Sequence, residues 1–174
     1  MSSVLRLVGC KSGTAAVEMA LALPILLVLI CGSVELGNYF MDEHRLVKAV
    51  RDGARYAARQ DLTNFTGCSG NPSGTVVADT QNVVMTGLLS GGDDVLPNRS
   101  TATIDVTVAC TTSAGGTALS GFYANVKNSG GTVVGAPIVT VDASIPYTPV
   151  VHSLGFSGYN LTLNASQQAA VMGW

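Results

Sequence analysis

From Met19 to Val34 the chain carries no charge, and extended back to Thr14 this stretch spans 21 residues with a single charged group, Glu18. About 20 residues of helix cross the hydrocarbon core of a bilayer, so the segment is long enough to be a membrane span. It also accounts for an overall composition that is odd for a soluble domain. Mean hydropathy is +0.39, and only 11% of the 174 residues are charged, against roughly 25% in an ordinary globular domain. A chain that is 47% hydrophobic has too much apolar surface to stay disordered. Nine basic against eleven acidic residues give a net charge of -2, which leaves no basic excess to hold a nucleic-acid backbone. Twenty glycines without a period exclude a collagen-like chain. A cleaved secretory signal would need a shorter core and a small-x-small site just beyond it. Glu35-Leu-Gly-Asn-Tyr-Phe40 offers no such site.

The flanks give opposite orientations. The leader holds Arg6 and Lys11 and no acid, which favours an inside N-terminus. The far flank holds Arg45, Lys48, Arg51, Arg55 and Arg59, offset by Asp42, Glu43 and Asp52. Counted on Lys and Arg alone, that flank favours the reverse topology. The leader decides, because of the residues that adjoin it.

A carboxylate in a membrane helix costs roughly 3 kcal/mol on insertion scales. One reading of Glu18 is a side chain near the interface that reaches water. The other starts from its neighbours: Lys11-Ser-Gly13 stands before Thr14-Ala-Ala-Val-Glu18, and the apolar run comes next. A cut after Gly13 would leave a free amine on Thr14 and place Glu18 at the fifth mature position. The amine of a neighbouring copy, shifted along its axis, would then pair with this carboxylate, each offsetting the other's desolvation. Basic leader, Gly, Glu and apolar run in this order resemble a prepilin.

The closer resemblance is to the TadE-like family of pilin-like minor proteins in the tight-adherence (Tad, or Flp) pilus machinery. Gly13-Thr-Ala-Ala-Val-Glu-Met-Ala-Leu-Ala-Leu-Pro-Ile-Leu-Leu27, running on to Val34-Glu-Leu-Gly37, carries the first part. Val47-Lys-Ala-Val-Arg-Asp-Gly-Ala-Arg-Tyr-Ala-Ala-Arg59 carries the second. Met19 stands where the family usually has an aromatic residue, and the major Flp pilin, which has Tyr there, is far shorter. The resemblance covers about the first third of the chain. It implies a minor pilin (pseudopilin) of a Tad/Flp type IV pilus that is cut between Gly13 and Thr14 by a prepilin peptidase, with Glu18 acting in assembly. It implies sister minor pilins, the major Flp pilin and an inner-membrane assembly platform as partners. The expected location is the bacterial inner membrane, single-pass, with the N-terminus cytoplasmic and the C-terminal domain periplasmic, and possible incorporation into the extracellular pilus. The competing reading is a permanently membrane-anchored envelope scaffold or receptor whose Glu18 is incidental.

The helix should continue to about Arg59, roughly 70 Å from Thr14 at 1.5 Å per residue. Gly37 and Gly53 are weak points at about 1 kcal/mol each relative to Ala, and Pro24 removes one backbone hydrogen bond. Arg45, Lys48, Arg55 and Arg59 fall on one helix face. That face is either a solvated stripe or a surface for lipid headgroups or acidic partners. Residues 60–75 read as loop, and Val76, Val77, Thr80, Val83, Val84, Gly87 and Leu88 space as an amphipathic helix over about 75–89. Alternation then marks strands at 102–110, at 139–145 and at 161–165, with Phe122–Val126 as a further candidate and Gly130-Gly131 as a hairpin turn. The fold class is α+β and pilin-like: a long N-terminal helix, a short helix and an antiparallel sheet of about three to four strands. The divisions expected are a leader at 1–13, a membrane and assembly helix at 14–35, its extramembrane continuation at 36–59 and a periplasmic domain at 60–174.

Of the four cysteines, Cys10 lies in the leader and Cys31 in the apolar run. Cys68 and Cys110 both fall in the region expected outside the cytoplasm, where an oxidising compartment would join them. Without a Cys-x-x-Cys spacing a zinc site is not expected. Nothing suggests an enzyme or a cofactor. His44 and His152 stand far from any nucleophile pattern, no Gly-x-Ser-x-Gly elbow or phosphate loop occurs, and Asp93-Asp94 lacks the spaced carboxylates of a calcium loop. Asn64, Asn98, Asn160 and Asn164 fit the glycosylation pattern at the level chance gives in a Ser/Thr-rich chain.

Overall fold

A computed structural model describes residues 12–96, 98, 101–150 and 161–173. The leader residues 1–11, with Arg6, Cys10 and Lys11, lie outside the described residues, as do His152 and Asn160.

The apolar run and the basic segment after it form one helix, α1, Ser12–Ala57, with Pro24 inside it. A short 3-10 turn follows at Leu62–Phe65, with Asp61 as its N-cap. The amphipathic segment forms α2, Val76–Thr86, and Gly87 closes it in the left-handed conformation at φ 74°, where a residue without Cβ is favoured. The fold is α+β. Three strands, β1 (Thr103–Thr111), β4 (Ala136–Pro146) and β5 (Thr162–Ala170), pair antiparallel in the order β1-β4-β5. Between β1 and β4 a two-residue ribbon joins β2 (Ser113–Ala114) to β3 (Thr117–Ala118).

The alternation sets which sheet face is buried. Ile104, Val106 and Val108 of β1 stand on the buried face, in register with Ala143, Val141 and Val139 of β4. Leu163 pairs with Ile145 on the same face. Thr103, Asp105 and Asp142 stand on the exposed face. Phe65, Val76, Val84, Met85 and Leu96 add to the core from the loop and α2.

The chain divides into two compact units. Among the described residues, one holds the start of α1 to Tyr39 together with residues 149–150, and the other holds the rest from Phe40 to Thr148 and residues 161–173. Within the first unit the side chains from Gly13 to Ile30 are exposed all round the helix. Within the second, Asp42, Leu46, Ala49, Val50, Gly53, Ala54 and Ala57 are buried. Their steps of three and four make one stripe, the pattern of a helix with one face in a core.

Two local expectations are corrected. Phe122–Val126 is not a strand: Gly121–Asn125 forms a 3-10 turn. Gly121 takes φ 70°, which breaks an extended run before it starts, and the Tyr123 hydroxyl donates to the Val171 carbonyl at 2.7 Å. The Thr/Ser/Gly-rich segment 111–120, expected as a turn or loop from that composition, contains the β2–β3 ribbon. Around Gly130-Gly131 the chain does reverse, with Lys127 bridging Val133 and Asn128 N–H donating to the Thr132 carbonyl at 2.9 Å.

Candidate anchor and assembly site

Gly13, Thr14 and Glu18 all lie in the first turns of α1 and are exposed. A Cβ added at Gly13 would have no atom within 4 Å, so the position before Thr14 is sterically open. Glu18 opens a helical stretch whose best 18-residue window has mean hydropathy 2.4, none of it buried within the protein. Val17, Met19, Leu21, Ile25, Val28 and Leu29 are all more than half exposed. A helix that is apolar all round is stable only where something apolar surrounds it, a bilayer or other helices. Further along, the Val150 N–H donates to Glu35 Oε1 at 3.3 Å, so the second carboxylate of the apolar segment is engaged by the chain itself.

The basic residues of α1 stand opposite its buried stripe, and Arg59 lies in the turn just past its end. Arg45, Lys48, Arg55 and Arg59 are exposed, and Arg51 beside them is too. This face is not purely cationic. Arg45 pairs with the buried Asp42 at 3.0 Å, and Arg55 approaches Asp52 at 3.9 Å. Asp52, one of the acids that offset this flank, occupies the same face one turn from each of Lys48 and Arg55.

Gly53 has a role that its helix-breaking character conceals. A Cβ there would collide with Val84 Cγ2 of α2 and come within 3.5 Å of Thr80 Cγ2. Helix α1 therefore meets α2 at backbone distance, and only glycine allows it. Ala49, Ala54 and Ala57 of the same helix are buried with it.

Cys68 and Cys110 are joined by a disulfide, with Cα atoms 5.0 Å apart. The bond ties the loop after α1 to the end of β1. Cys31 is free and half-buried. Among the described residues no cluster of three or more His, Cys, Asp or Glu side chains is placed to hold a metal. His44 is exposed on α1, and Asp93 and Asp94 are exposed after α2.

Fold and site together define a class: a chain whose N-terminal helix is long and apolar enough to cross a membrane and runs without a break into an α+β domain. Residues 13–55 match the family model of TadE-like protein, so this stretch, from the glycine before Thr14 to the Gly53-Ala-Arg55 segment, is TadE-like. A TadE-like segment implies association with the Tad pilus machinery. No curated protein and no solved structure matches the chain.

Proposed function

We propose that the protein is a minor pilin (pseudopilin) of a Tad/Flp pilus, matured by a prepilin peptidase that cuts between Gly13 and Thr14. The observation that carries the reading is the succession Gly13, Glu18 and an apolar helix exposed on every side, lying inside a TadE-like segment. In this reading the chain catalyses nothing; it is the peptidase's substrate. The leader stays in the cytoplasm, the helix holds the protein in the inner membrane, and the α+β domain stands in the periplasm. On assembly the helix moves from lipid into the filament among sister minor pilins and the major Flp pilin. Its all-round apolar surface suits both environments. Glu18 then pairs with the Thr14 amine of a neighbour, since an unpaired carboxylate in that layer is costly.

The test is the intact mass and N-terminal residue of the membrane-extracted protein, with and without a cognate prepilin peptidase. The expected result is a chain beginning at Thr14, produced only with the peptidase. An intact leader beside an active peptidase would overturn the reading and leave a permanently anchored scaffold or receptor. Glu18→Ala should insert and mature normally yet fail to assemble; wild-type piliation in that variant would remove Glu18 from assembly.

A further inference from the structure

The sheet has two edges, and they are finished differently. At β1 two of the backbone groups that point away from β4 are covered by other parts of the domain. Gln81 Nε2 donates to the Ile104 carbonyl at 2.8 Å, Val108 N–H donates to the Gly70 carbonyl at 2.8 Å, and Cys110 is tied to Cys68. Helix α2 and the disulfide loop thus lie against that edge.

At β5 the odd-numbered residues face β4. The Leu161 carbonyl accepts from Tyr147 N–H at 2.8 Å, and Val171 N–H donates to the Pro137 carbonyl at 2.9 Å. By the alternation of a strand, Thr162, Asn164, Ser166, Gln168 and Ala170 aim their N–H and C=O groups outward. Among the described residues, those groups meet only local amides: Asn164 Nδ2 on the Thr162 carbonyl at 3.4 Å and Gln167 Nε2 on the Gln168 carbonyl at 3.0 Å. Natural edges are commonly blunted by charge, proline or a bulge. The sequence Thr-Leu-Asn-Ala-Ser-Gln-Gln-Ala-Ala has neither charge nor proline, and its register with β4 is unbroken from Thr162 to Ala170.

We infer that the β5 edge binds a second copy of this chain, strand to antiparallel strand, about a two-fold axis through Ser166. A free strand edge is satisfied by another strand, and this one is complementary to itself. With Ser166 opposite Ser166, Asn164 meets the second copy's Gln168, two amides able to exchange hydrogen bonds. Thr162 meets Ala170, so every outward-pointing residue finds an outward-pointing partner. No charge opposes its like. On the other face Ala165 and Gln167, only half-buried in the monomer, cover each other across the seam. The contact is isologous and closes at two copies, giving one six-stranded sheet. It needs no leader removal and no membrane step, so it stands or falls apart from the pilin reading.

The experiment uses the full chain in detergent with Cys10→Ser and Cys31→Ser, leaving the Cys68–Cys110 bond in place. Mass in solution should be that of a dimer. Ser166→Pro should return it to monomer with an unchanged thermal melt, because that N–H is not used by the domain's own ladder and edge strands tolerate proline there. Ser166→Ala should remain dimeric. Under mild oxidation Ser166→Cys should cross-link to itself several-fold more than Thr107→Cys at the middle of the exposed face. Asn164→Cys and Gln168→Cys should cross-link when mixed and not alone. A monomer at all concentrations, a dimer that survives Ser166→Pro (held then by the apolar helix), or equal cross-linking at Ser166 and Thr107 would each overturn the inference.

Discussion

One helix, α1, is exposed to two different surroundings. Up to Ile30 its side chains are apolar and exposed around the whole circumference. From Phe40 to Ala57 it is a one-sided helix: a buried stripe of Leu46, Ala49, Val50, Gly53, Ala54 and Ala57 backs onto an exposed row of cations. The first half has no core to face and takes its stability from whatever surrounds it. The second half is held by its own domain, with Gly53 letting Val84 of α2 come close. Hydrophobicity alone therefore does not separate an anchor from a core helix; the distribution round the axis does.

The largest expected effect tests whether the domain can fail while the anchor holds. Cys68→Ser with Cys110→Ser opens a loop closed across a sequence separation of 42. The chain-entropy model puts the loss at about 4 kcal/mol. Thermal or denaturant melts should show the domain strongly destabilised, while extraction of the protein from membranes stays unchanged. Equal melts with and without the bond would mean that α2 and the sheet need no covalent tie.

The same contrast explains what could be read from the residues alone. The apolar run and its Gly13–Glu18 opening are local signals, and α1 follows from them. The alternation of Ile104, Val106 and Val108 foretells β1 because one face is buried and the other wet. Strand β5 was legible only up to Ala165. Beyond it Ser166-Gln-Gln-Ala-Ala170 does not alternate between apolar and polar, since at an open sheet edge the inward-facing Gln167 and Ala169 are only half-buried. Phe122–Val126 misled because aromatic and β-branched residues favour strands, whereas the tertiary bond from Tyr123 to Val171 fixes a turn. Gly53 read as a weak point in the helix; nothing local in the chain announces the Val84 side chain that requires it.

Two of the four glycines of α1 sharpen the comparison, one from each half. A Cβ at Gly37 would have no atom within 4 Å, whereas one at Gly53 would strike Val84. Gly37→Ala should strengthen the helix by up to about 1 kcal/mol and leave the domain's melt where it is. Gly53→Ala gains the same propensity but must push α2 away, at a typical overpacking cost of about 1–3 kcal/mol. Its melting temperature should fall. If both variants melt alike, α2 gives way freely and the close approach is not what fixes Gly53.

The smallest effect lies just past the end of the domain-held half. Once α1 stops at Ala57, Asp61 starts the 3-10 turn that brings Phe65 into the core. Its carboxylate accepts from Thr63 N–H at 2.9 Å and Thr63 Oγ1 at 2.8 Å. The backbone bond first, and then the hydroxyl bond, hold its pKa below the usual carboxylate value. A group whose pKa is lowered on folding favours the folded state above its unfolded value, about 3.9 for Asp. That contribution is lost as pH falls through the lower folded value. Asp61→Asn keeps an acceptor for Thr63 but cannot titrate. Between pH 7 and the acid limb, the wild-type melt should therefore fall slightly further than that of the variant, the other carboxylates being common to both. Because Asp61 is exposed the difference is small, and parallel curves would mean that the turn holds without the ionised cap.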